Sequence, residues 1–222
     1  MSESTNESDR ISAVEFHRRD GVSDWRVTDT GPQAVFTATS LAHAANLVAP
    51  IIAAAERFGI VPDIDVRVEG VVVRIPHRSL GGPPTAAEFA AAVSQAATEL
   101  LLTPDPSRVQ SLGIYVAQHS GADARPFFIA ALGYKALGDS DAVDPLRSGP
   151  PLSFNPITGD SRARGRTHFD VYVPADQAQA RVDAALAAGG RLADDSHAPD
   201  WWSLASPDNH GVDIASWADT DE

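Results

Sequence analysis

Cysteine is absent from this chain of 222 residues. Disulfides, thiolate metal sites and cysteine nucleophiles are thereby excluded. Long apolar runs are lacking as well. No stretch approaches the roughly 18 to 20 apolar residues of a membrane span, and the acidic, serine-containing start has neither the basic nor the apolar region of a secretory signal. Cations are scarce: 17 Lys and Arg stand against 30 Asp and Glu, a formal net charge of -13. That balance opposes nucleic acid and anionic membrane as partners, because both require Lys and Arg in place of released counterions. A cytoplasmic protein is expected. Also missing are a Ser-His-Asp order with a nucleophile elbow, a phosphate-cradling glycine loop and an H-E-x-x-H helix.

What is present is 43% hydrophobic residues, enough in a chain of this length for one large or two small packed domains. Residues 1–10 carry too little apolar surface to offset the entropy of ordering, so a disordered tail is expected there, and 219–222 form a second tail. An amphipathic piece over 11–16 leads into Trp25-Arg26-Val27 and then to a strand at 34–39. Ser40 is placed as the N-cap of a helix reaching about Arg57, with Leu41, Ala45, Val48, Ile52 and Ala55 on one stripe and a kink at Pro50. Val71, Val73 and Ile75 alternate with Val72 and Arg74, which predicts a strand with its odd-numbered side chains buried and His77 at its end. Glu69 and Gly70 separate it from an earlier run as a tight hairpin. Thr85 and Glu88 have capping-box spacing before a helix that carries Phe89, Val93, Ala96 and Leu100.

Within this order, Pro62-Asp63-Ile64-Asp65-Val66-Arg67, Pro76-His77 and Gly81-Gly82 resemble motifs of the pterin-4a-carbinolamine dehydratase family. Its members carry His-His-Pro-Asp before a strand hairpin and Thr-His before a Gly-Gly turn. The resemblance covers about residues 16–102. It implies an antiparallel sheet with helices on one face, homo-oligomers, and a lyase that dehydrates a hydroxylated tetrahydropterin. The family's two histidines fall on Ile60 and Val61, which neither donate nor accept a proton. Dehydratase activity is therefore expected to be weak or lost. His77 is left as the candidate for acid-base work, with Pro62 and Asp63 as candidates for substrate contact. Asp63 and Asp65 better suit a structural part, ending the helix and shaping the start of the hairpin.

The two prolines in 103–107 cannot continue a helix, so 103–110 reads as a linker between domains at 11–102 and 111–218. Beyond it come a strand at 112–117, a helix at 125–137 anchored by Phe127, Phe128, Ala131 and Leu132, a loop over 138–151 and a short strand at 152–154. After a basic connection at 159–166 the order repeats. A strand at 167–173 precedes a helix at 176–188, closed by Gly189-Gly190, and strands at 201–205 and 211–217 flank the turn 206–209. Alternation puts His168, Asp170 and Tyr172 on one face of 167–173, and Thr167, Phe169, Val171 and Val173 on the other. By the same parity Val212 and Ile214 read as core, with Asp213 and Trp217 opposite.

This order, with Arg125-Pro126-Phe127-Phe128, Leu132-Gly133-Tyr134 and Ser206-Pro207-Asp208-Asn209, resembles the vicinal-oxygen-chelate superfamily, the glyoxalase-like fold, over residues 112–217. With Val143-Asp144-Pro145 and Ala198-Pro199-Asp200-Trp201-Trp202 it looks like the type fused behind dehydratase-like domains in actinobacterial proteins. The resemblance implies two βαβββ modules that cup a ligand, and a metal pattern drawn from the first and last strand of each module. His168 and Asp213 fall on two of those four positions, whereas 111–117 offers neither His nor Glu and the first closing strand offers Ser153. Two protein ligands are fewer than the usual three. No metal and no cofactor is therefore expected, but a small-molecule pocket walled by Trp201, Trp202, Tyr172 and Trp217. The whole is expected to be α+β: a degenerate dehydratase-like domain fused to a glyoxalase-like one. The alternative is a repurposed, metal-free binding protein, or a dehydratase or cyclase of secondary metabolism.

Overall fold

A computed structural model describes residues 11–76, 81–118, 123–157, 167–206 and 210–216. The chain divides into two units, Met1–Val109 with Trp217–Glu222, and Gln110–Ser216. Among the described residues no helix is long and apolar enough to cross a membrane.

Ser12 and Glu15 open the first unit with a reciprocal capping box: Glu15 N–H donates to Ser12 Oγ at 3.1 Å, and Ser12 N–H donates to Glu15 Oε2 at 2.8 Å. They start α1 (Ala13–His17). The elements β1 (Trp25–Thr28), β2 (Gly31–Thr37), α2 (Leu41–Ala45), α3 (Val48–Phe58), β3 (Asp63–Arg67), β4 (Gly70–Arg74), α4 (Ala86–Glu99) and β5 (Thr103–Pro104) follow. The strands form one antiparallel sheet in the order β1-β2-β4-β3, with β5 added to β2. Ala34, Phe36, Val71 and Val73 are fully buried in one core with Ile51 and Ala54 of α3 and Phe89, Ala90, Val93 and Ala97 of α4. Each large apolar side chain so buried stabilises the unit by about 1.5 to 3 kcal/mol.

Three local expectations are corrected here. The helix expected from Ser40 to Arg57 with a kink is two helices. Ser40 does cap the first, accepting from His43 N–H at 3.1 Å, but the chain breaks before α3 and Pro50 lies in the first turn of α3, where a nitrogen without hydrogen leaves no bond unmade. Thr85 makes no capping bond; its hydroxyl donates to Phe58 O at 2.9 Å and ties α4 to the end of α3. Thr103–Pro104, read as linker, pairs with Thr37 and Phe36. Proline is tolerated there because a strand at a sheet margin needs no further donor.

The hairpin is present, with Val68 and Glu69 as its loop and Gly70 paired to both Arg67 and Thr37. Gly70 has φ of +151°, and a Cβ there would collide with the Phe36 carbonyl. Close approach of the two strands, beyond the turn itself, is what requires glycine.

In the second unit β6 (Ser111–Gln118), α5 (Arg125–Leu132), β7 (Lys135–Leu137), β8 (Asp141–Val143) and β9 (Leu152–Pro156) make one βαβββ module. The elements β10 (Thr167–Val173), α6 (Ala175–Ala187), β11 (Arg191–Asp194), β12 (Trp201–Ala205) and β13 (Gly211–Ser216) make the second. They share an eight-stranded sheet ordered β11-β12-β13-β10-β6-β9-β8-β7. The helix expected to Leu137 ends at Leu132, its last residues form β7 instead, and the region expected to be loop contributes β8. Ala142 of β8 is fully buried with Val116, Leu152 and Phe154, which gives this short strand its hold. After it, the Asp144 carboxylate accepts from the Ser148 hydroxyl and from the N–H groups of Leu146, Ser148 and Gly149. These bonds, led by the Ser148 hydroxyl, hold its pKa down at about 2.

Both helices pack on one side of the sheet. From α5, Phe128 and Ile129 meet Ile114, Val116, Leu152 and Phe154; from α6, Ala178 and Val182 meet Val171, Val173, Leu204, Val212 and Ile214. Strand parity leaves the opposite side to the polar residues.

Candidate functional site

Val171 and Val173 lie under α6, so the alternating positions His168, Asp170 and Tyr172 point to the other face of β10. Register supplies their neighbours. Parallel pairing with β13 sets Asp213 beside Asp170 and Ala215 beside Tyr172. Antiparallel pairing with β6 sets Tyr115 beside His168 and Gly113 beside Asp170. On the far side of β13, β12 sets Ser203 beside Asp213 and Trp201 beside Ala215.

His168, Asp170 and Asp213 each offer a ligand atom within 4.8 Å of the others. His168 Nε2 stands 3.2 Å from Asp170 Oδ1 and 3.7 Å from Asp213 Oδ2. Asp170 Oδ1 is buried and receives no aligned hydrogen bond. Its other oxygen, Oδ2, accepts from the Tyr172 hydroxyl at 3.2 Å, and the Tyr172 and Tyr115 hydroxyls are 3.0 Å apart. The Tyr115 and His168 rings stack, with centroids 5.4 Å apart and planes at 20°.

The electrostatics follow from this crowding. The Asp170 carboxylate raises the His168 pKa above its ordinary value, against the opposing effect of burial and with Asp213 adding to the rise. Burial raises the Asp213 pKa, reinforced by Asp170 and opposed by a hydrogen bond from Ser203. Two carboxylates so close favour a positive charge beside them, which either a proton on His168 or a cation supplies. Cation ligands at about 2.0 to 2.2 Å stand about 3 to 3.5 Å from one another. The separations of His168 Nε2 from the two carboxylates, 3.2 and 3.7 Å, lie close to that range, and one nitrogen with two carboxylates suits a divalent ion of the zinc or manganese kind.

The other expected site residues divide. Trp201 lies on the same face, its ring stacked on His197 at 4.0 Å between centroids. Trp202 does not wall the site: it pairs with Ile214 and packs into the core beneath α6, as adjacent residues of a strand must face opposite ways. Trp217, His77 and residues 207–209 lie outside the described residues, as do the side chains of Phe127 and Ala131. Tyr115 and Ser203 were not anticipated. The alternation of Leu112, Ile114 and Val116 carried a signal for Tyr115; nothing local distinguished Ser203.

In the first unit, Arg74 Nη2 and Nε approach Asp63 Oδ2 at 2.9 and 3.3 Å, and the two residues are direct partners across the β3–β4 ladder. Asp63 thus has a structural partner of its own. Pro62 immediately precedes β3. Ile60 is 6% exposed and belongs to the core, whereas Val61 is 79% exposed.

Residues 114–215 match the family model described as Glyoxalase-like domain. The second unit is accordingly a glyoxalase-like, vicinal-oxygen-chelate domain. Among solved structures, a glyoxalase/bleomycin resistance protein/dioxygenase superfamily member from Vibrio splendidus 12B01 is similar at 13% identity and a TM-score of 0.33, over 49% of this chain and 99% of that chain. No curated protein matches the chain. The family match covers the second unit alone, and the dehydratase resemblance of the first gains no support from these comparisons.

Proposed function

We propose that the glyoxalase-like unit binds a small molecule on the helix-free face of its sheet, anchored by a divalent cation that His168, Asp170 and Asp213 hold. The observation that carries this reading is the convergence of one ligand atom each from His168, Asp170 and Asp213 within 4.8 Å of one another, Asp170 Oδ1 among them buried. Two carboxylates gathered in a half-buried site repel each other, and a cation between them offsets that repulsion. The family resemblance pointed to His168 and Asp213, with no metal expected from two ligands; Asp170 adds a third. Such an ion, when bound, polarises a ligand oxygen and contributes positive charge. The protein's share is to fix the three ligands, with the Tyr172 and Ser203 hydroxyls bonded to the two carboxylates. Isothermal titration of the chelator-stripped full chain with Mn2+ and Zn2+ is expected to show one equivalent bound. Absence of binding by both ions would overturn the reading.

The first unit is read as a dehydratase-like fold without dehydratase chemistry. Support comes from Ile60 and Val61, one packed in the core and one in solvent, neither able to move a proton. Stopped-flow measurement of carbinolamine dehydration is expected to give the uncatalysed rate. Brisk turnover would refute this.

A further inference from the structure

All three candidate cation ligands come from the second module. We infer that the first module completes the site through Tyr115, a positioning residue that holds two of the three; the inference rests on the cation reading above.

Tyr115 reaches the ligands by two routes. Its ring lies against the His168 imidazole, its direct partner across the β6–β10 ladder, and restrains the rotation of that ring. Its hydroxyl acts on Asp170 through Tyr172. The Tyr172 hydroxyl has one proton, and the Asp170 carboxylate is purely an acceptor, so that proton goes to Oδ2. The bond between the two tyrosines must then be donated by Tyr115. This chain occupies Oδ2 and leaves Oδ1 turned to His168. Partners that hold ligands in place typically matter about 10- to 100-fold in metal affinity.

Two variants of the full chain separate the routes. Tyr115→Phe keeps the ring and removes the hydroxyl; Tyr115→Leu removes both. Chelator-stripped proteins are titrated with Mn2+ by calorimetry and with Co2+ by visible absorption, and the metal-free forms are compared by circular dichroism and thermal unfolding. Tyr115→Leu is expected to bind Mn2+ about 10- to 100-fold more weakly and to shift the Co2+ bands, with Tyr115→Phe between it and the parent. A shift of the Co2+ bands in a variant whose metal-free fold is intact is a change that a merely structural role would not produce. Parental affinities and spectra in both variants would overturn the role of Tyr115 and leave the cation reading standing. A parent that binds neither ion overturns both. If Tyr115→Leu does not fold, Tyr115→Phe decides, and unchanged affinity and bands in it overturn the inference.

Discussion

Asp170→Asn is expected to weaken Mn2+ binding by at least about 100-fold, since even residues that merely orient a metal ligand are worth about 10- to 100-fold. The metal-free variant is expected to unfold close to the temperature of the parent. Asparagine keeps the shape and still accepts from Tyr172 through its amide oxygen, so the Asp170 bond that occupies Oδ2 survives. What disappears is one of the two negative charges of a half-buried site, the other being that of Asp213. Losing it relieves Asp213, whose pKa Asp170 helps to raise, and gives up the favourable contact with His168, so the two effects on the metal-free fold oppose each other. The parent, by contrast, is stabilised by its guest. At a free ion concentration about 100 times Kd the gain is about 2.7 kcal/mol, and it is expected to be missing from the variant. Calorimetric titration together with thermal unfolding, with and without Mn2+, checks both halves. A variant that keeps parental affinity would remove Asp170 from the site.

Trp25→Ala is expected to cost the first unit about 3 to 5 kcal/mol, a large part of the 5 to 15 kcal/mol by which domains are generally stable. Trp25 has no exposed surface. Its indole N–H donates to both Ala90 O and Ser94 Oγ at 3.2 Å, so a side chain of β1 is bonded to successive turns of α4. Phe89 meets it edge to face, with centroids 6.1 Å apart. Alanine leaves a cavity that this rigid sheet and helix cannot close, and it removes the donor from a buried hydroxyl. Trp25→Phe keeps most of the volume and is expected to cost less, about 1 to 3 kcal/mol for the unmade bond. Hydrogen exchange read by mass spectrometry locates the loss, expected in the peptides of β1, β2 and α4. Unchanged protection in those peptides would show that the indole is not what joins α4 to the sheet.

Much of the fold was legible because its signals are local. The alternation of Val71, Val73 and Ile75 marked a buried face, and all three are buried. The alternation through 167–173 separated His168, Asp170 and Tyr172 from Val171 and Val173, and the core under α6 has that division. Where reading failed, a weak local signal was overridden. Thr85 and Glu88 had capping-box spacing, but the end of α3 offered the Thr85 hydroxyl a carbonyl. Lys135–Leu137 was taken as helix and became a strand because β8 was there to pair with it. Trp202 was placed in the pocket by its residue type, although its parity with Trp201 already assigned it to the opposite face.

The sequence by itself determined which side of each strand is polar, since that follows from the two-residue repeat of an extended backbone. It also carried the absence of titratable groups at Ile60 and Val61. Only the tertiary structure decided that Asp213 stands beside Asp170 and Tyr115 beside His168. No residue's local preference specifies those meetings. They depend on the register of β10 against two strands distant in the chain, and register is set by the packing of the whole sheet beneath α5 and α6.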